Sequence, residues 1–76
     1  MASFTKTYKV PFNSKQRTAL TAAFKILAEY FVNDRGADVE IVVAQFDEKR
    51  ICAELLVNGA VFDAKLIGPR GGIKTL

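Results

Sequence analysis

Asn58 and Gly59 stand between two apolar-rich runs, residues 50–57 and 60–67. A two-residue hairpin loop of type I′ needs positive φ at both central positions, and asparagine followed by glycine meets that need at the least steric cost. The dipeptide therefore predicts an antiparallel hairpin and fixes its turn. That turn fixes the register and sets Val57 opposite Ala60, Leu55 opposite Phe62, Ala53 opposite Ala64 and Ile51 opposite Leu66. All eight are apolar, so this parity is expected to face the core. Residues 38–46 alternate in the same manner. A short loop at Asp47, Glu48 and Lys49 then sets Val43 against Ala53 and Ile41 against Leu55, and a three-stranded meander results.

The segment before the meander has helical period. Asn13 followed three places later by Gln16 has the form of a capping box, and Gly36 is placed to close the other end near Asp34. At 100° per residue Leu20, Ala23, Phe24, Leu27 and Phe31 share a face. Ala19, Ile26 and Tyr30 widen it, while Thr18, Thr21, Lys25 and Glu29 lie opposite. The apolar arc spans roughly 200°, about twice what a surface helix presents to one layer. Residues 3–10 are aromatic, β-branched and alternating, and read as a first strand that Pro11 ends. The order is β-α-β-β-β, an α+β fold with one long helix packed on an antiparallel meander and the first strand at one of its edges. Residues 1–67 form one compact domain in this reading. Gly68, Pro69, Gly71 and Gly72 break structure and leave 68–76 as a flexible basic tail. Phe24, Leu27, Phe31, Ile41, Leu55 and Phe62 are the expected core.

Composition excludes several chemistries. The chain has 76 residues, no histidine and one cysteine. Without histidine there is no Ser-His-Asp or Cys-His arrangement and no common general base near neutral pH. Cys52 forms neither an internal disulfide nor a multi-cysteine metal site. Its expected strand lies far from any activating helix terminus, so it reads as a small apolar residue. The glycine-rich segment ending in Lys74 and Thr75 has Ile73 where a phosphate-binding loop needs glycine, and no helix follows it. No loop is long enough to enclose a small-molecule substrate. The reading is a non-enzymatic binding module without cofactor or metal. Residues 19–32 are interrupted by Lys25 and Glu29 and are too short to span a bilayer. With no leader-like start, a cytoplasmic location is expected.

Charge is the remaining signal. The net +3 is unevenly spread: residues 1–17 carry +4, residues 64–76 carry +3, and residues 18–63 carry −4. Acid-free ends of this kind suit a polyanion. Lys6, Lys9, Lys15, Arg17, Arg70 and Lys74 are the candidate nucleic-acid contacts, and Tyr8 is a candidate stacking ring if it faces outward. The ends meet on one side if the first strand pairs beside the last. A different reading is protein docking, as an accessory protein, an inhibitor or a structural subunit. The wide helix arc calls for a second copy, with Ala19, Ala23, Ile26 and Tyr30 as one candidate contact. Val42, Leu56 and Val61 on the outer sheet face form the other. Glu54 and Asp63 face each other there in the hairpin register, where a partner's cation would relieve their repulsion.

Overall fold

In a computed structural model, which describes residues 2–76, the capping box forms as the sequence implies. The Gln16 amide donates to the Asn13 side chain at 2.8 Å, and the Asn13 amide donates to the Gln16 side chain at 3.0 Å. Helix α1 runs Ser14–Glu29 and continues through a wider turn, Tyr30–Asp34. That turn lets the consecutive Phe31 and Val32 both lie against the core. The Ala37 amide then closes the helix end on the Phe31 carbonyl at 2.9 Å.

Strand β1 is Phe4–Tyr8, β2 Val39–Gln45, β3 Ile51–Val57, β4 Ala60–Ile67 and β5 Ile73–Thr75. They form one mixed sheet in the order β1-β2-β3-β4-β5. A single helix between β1 and β2 carries the chain back along the sheet before it returns, so the two strands run parallel. This settles the edge that the sequence leaves open. It also puts β1 and β5 at opposite edges, so the first strand does not pair beside the last. The β2–β3 ladder has the expected register, with Val43 opposite Ala53 and Ile41 opposite Leu55. Phe24, Val43, Ala53, Leu55 and Ile67 are fully buried between the helix and the sheet.

The hairpin departs from the expected register. Asn58 and Gly59 form the turn with φ of 51° and 85°, and Val57 faces Ala60. A bulge then shifts the register by one: Leu56 faces Val61, but Leu55 faces Asp63 rather than Phe62. Ala53 consequently faces Lys65, and Ile51 faces Ile67. Along β4 both parities are rich in apolar residues, so alternation cannot fix its register. The bulge gives the core Ile67, while Asp63 and Lys65 on the helix side satisfy each other at 3.2 Å. Glu54 lies opposite Ala64, so its expected pairing with Asp63 on the outer face does not exist. Phe62 is not a core residue. It is 55% exposed and meets Phe31 edge to face, with ring centroids 4.8 Å apart.

The expected free tail is also corrected. Residues 73–75 pair with β4 as β5, and the segment before them packs on the start of α1. The Asn13 side-chain amide donates to the Pro69 carbonyl at 2.9 Å. Gly71 has φ of 87°, and a Cβ there would stand 3.0 Å from the Lys15 carbonyl oxygen. The helix flank read as a contact for a second copy is thus bordered in part by the chain itself. Ala19 is buried in the core and Ala23 packs against it, which removes both as exposed contacts. Ile26 is 82% exposed and Tyr30 remains partly exposed.

Two substitutions test this packing. Leu55→Ala should cost about 2–5 kcal/mol in urea unfolding, because the cavity opens at a fully buried position. Gly71→Ala should destabilise by about 1–3 kcal/mol through the positive φ and the Lys15 carbonyl. Its signature is accelerated amide exchange in residues 73–75 ahead of the other strands.

Candidate functional site

The connectivity gathers one set of loops at one end of the sheet. Strands β1, β2 and β4 end there, β3 and β5 begin there, and α1 starts there. The loops are residues 9–13, 46–50 and 68–72. Val10 and Phe12 from the first loop pack against the core and close its end.

This end is basic. Lys9, Lys49, Arg50 and Arg70 stand in its loops, Lys15 and Arg17 in the first turn of α1 and Lys74 in β5, against Asp47 and Glu48. Seven cations and two carboxylates give it a net +5. The four cations and six carboxylates elsewhere leave the rest of the chain at −2. The first turn of α1 carries no acidic residue, so its free amide groups add a positive partial charge to the same end.

The loop of residues 46–50 is held from within. Asp47 holds its own turn: its carboxylate accepts from the Lys49 and Arg50 amides at 3.0 and 2.7 Å. It also pairs with the Arg50 guanidinium at 2.6 Å. The Arg50 side chain, then the two amides, hold the Asp47 carboxyl at about 2, below its ordinary 3.8. Because the folded value is depressed, the pair is intact above about pH 4 and is lost only as pH falls through about 2. Arg50 is therefore neutralised at ordinary pH. Residues 47–50 and Gly68 with Pro69 together border an open depression of about 580 Å³.

The candidate nucleic-acid residues divide into groups. Tyr8, Lys9, Phe12 and Arg17 line one open hollow. Tyr8 meets Phe12 edge to face at 5.0 Å, and the Arg17 guanidinium covers the Phe12 ring at 5.0 Å. Lys15 and Arg70 border a second hollow beside Gly71 and Ile73. Lys74 borders a third with Arg50 and Gly72. Lys6 stands apart, midway along β1 on the helix side, with its ammonium 5.6 Å from the Phe4 ring centre. Lys49 was not among the residues singled out from the sequence, because the middle of the chain is acidic overall. Only the fold carries it to this end.

The outer sheet face carries Val42, Ala44, Cys52, Leu56, Val61 and Ala64, with Glu40 and Glu54 among them. Val61 is 54% exposed, and no element of the described residues packs over this face. Asp63 does not belong to it, since the bulge turns that residue toward the helix. Burial, then the Glu54 carboxylate, push the Cys52 thiol upward, away from the reactive thiolate.

No helix is long and apolar enough to cross a membrane among the described residues. Comparison with family models, with curated proteins and with solved structures gave no match, so the basic end and the bare sheet face are the features from which function is argued.

Proposed function

We propose that this protein is a small binding module for nucleic acid, acting without a reaction of its own. The observation that carries the reading is the convergence of Lys9, Lys15, Arg17, Arg70 and Lys74 on one end of the sheet, where the net charge is +5 although the whole chain carries only +3. Cations from three loops and a helix start cover a surface rather than a point, which suits a phosphate backbone better than a single anion. Tyr8 borders this surface, 37% exposed, and offers part of one ring to an unpaired base. Lys6 is left out of the contact set because it lies in a different groove.

A second reading rests on a separate observation, the uncovered apolar outer face. The accessible surface is 4913 Å², against about 4,600 Å² for an average folded chain of this mass. Under that reading the protein docks on a partner or on a second copy through Val42, Leu56 and Val61, with Glu54 at its margin. Sedimentation of Leu56→Glu beside the parent checks it: the parent sediments as a dimer and the variant as a monomer.

The first reading is tested by titrating labelled single- and double-stranded DNA and RNA at two salt concentrations. Affinity should fall with a log–log slope of about −0.7 to −0.9 per phosphate contact. Replacing Lys9 and Arg17 by alanine should weaken all sequences alike and flatten that slope by about one to two units. Lys6→Ala should leave both unchanged. Absence of binding at about 50 mM salt, where this electrostatic attraction is strong, would sink the proposal.

A further inference from the structure

Strand β1 ends the sheet, and its backbone shows which of its groups are unused. The Val39 amide donates to the Ser3 carbonyl at 2.8 Å, and the Lys9 amide donates to the Val43 carbonyl at 2.9 Å. In a parallel ladder alternate residues turn both backbone groups to the neighbouring strand. Ser3, Thr5, Thr7 and Lys9 therefore face β2. The amides and carbonyls of Phe4, Lys6 and Tyr8 point away from the sheet, where no strand follows among the described residues.

The side chains of the same three residues lie on the helix side, level with Val39, Ile41 and Val43. There α1 does not close over them. A groove of about 390 Å³ runs between the two elements, with Phe4, Lys6, Ile41 and Leu20 along it and Thr21, Lys25 and Glu29 as its helical wall. Neither Lys6 nor Lys25 forms an ion pair among the described residues; the two pairs formed are Arg50 with Asp47 and Lys65 with Asp63. A bare edge beside such a groove offers backbone pairing for affinity and alternate side-chain positions for selection, which is how strand addition recognises extended peptides.

Charge selects among the possible occupants. A second copy pairing antiparallel so that all three free residues are used sets Lys6 of one chain against Lys6 of the other, and like charges directly opposite are unfavourable. A strand with a carboxylate level with Lys6, and apolar residues level with Phe4 and Tyr8, fits the same edge. It meets the ammonium groups of Lys6 and Lys25 against the single carboxylate of Glu29. We propose that the β1 edge and the β1–α1 groove bind an extended peptide segment of alternating apolar and acidic residues, taken up as a sixth strand.

The probe is a blocked heptapeptide alternating threonine with, in turn, valine, glutamate and valine, titrated against the labelled full chain and read residue by residue from amide shifts and exchange. The amides of Phe4, Lys6 and Tyr8 should shift and become protected. The same peptide with lysine in place of glutamate should bind about three- to tenfold more weakly, the scale of one cross-strand charge pair. Lys6→Glu, at an exposed position where the parent spectrum is otherwise retained, should reverse that preference. Equal binding of the two peptides would overturn the proposal, as would shifts confined to the outer face or the basic end. So would no binding at millimolar peptide. Concentration-dependent protection of these amides without peptide would assign the edge to a second copy and overturn it equally. Because Lys6 and this groove lie outside the basic end, failure here leaves the nucleic-acid reading untouched, and the reverse also holds.

Discussion

Asn13 holds three parts of the chain at once. Its side-chain oxygen accepts the Gln16 amide and starts α1, its own amide is taken by the Gln16 side chain, and its side-chain nitrogen binds the Pro69 carbonyl. The first two bonds satisfy groups that any helix start leaves open. The third is specific to this fold. It brings residues 68–72 onto the first turn, where Gly71 approaches the Lys15 carbonyl closely, and it lets β5 add to the sheet beyond. The two basic ends of the sequence are consequently joined through a side chain rather than by adjacent strands. Arg70 and Lys15 border one hollow while β1 and β5 occupy opposite edges.

Where a local signal had a single physical solution, the sequence was readable. The capping box, the turn at Asn58 and Gly59, and the β2–β3 register all follow from such signals. The β4 register does not, because Val61, Phe62, Ala64, Leu66 and Ile67 are apolar on both parities and a one-residue slip costs little alternation. The bulge is decided by what the helix layer can bury. Ile67 fills the core, and Asp63 with Lys65, partly exposed on the inner side, pair with each other. Strand β5 was hidden for another reason. Three residues behind a Gly-Pro break carry no period, and the contacts of Asn13 with Pro69 and of Gly71 with Lys15 that accompany their pairing are long-range ones that no local pattern encodes. The basic end was legible in its terminal cations and hidden in Lys49, which belongs to an acidic stretch of sequence but to a cationic region in space.

The same connectivity explains why charge and apolar surface are segregated. The three loops and the helix start at one end carry most of the cations, whereas the strands are largely apolar on the inner face, with Lys6, Asp63 and Lys65 the charged exceptions, and leave most of their outer side chains half-buried by neighbours. Glu40 illustrates the compromise. It sits on the outer face, where the Thr7 hydroxyl donates to it at 2.6 Å, so a carboxylate on an otherwise apolar face is held by a hydroxyl from the edge strand rather than by a cation. A polyanion at the basic end and a protein on the sheet face would therefore occupy different surfaces.

The charge of the basic end is also insulated from pH. Histidine, the side chain whose ordinary pKa falls within about pH 5–8, is absent. The one acid with a marked shift at this end, Asp47, is displaced downward to about 2 and is committed to Arg50 and to its own loop. The thiol of Cys52 is displaced upward and lies on the outer face, away from the loops. A phosphate backbone keeps its charge over the same range, so the proposed attraction between the two would depend on ionic strength rather than on protonation. Salt is then the variable that separates the two surfaces. Under these proposals the cationic end would lose its hold on a polyanion as counterions compete, while contacts through Val42, Leu56 and Val61 would strengthen or hold, because burial of apolar area does not rely on charge.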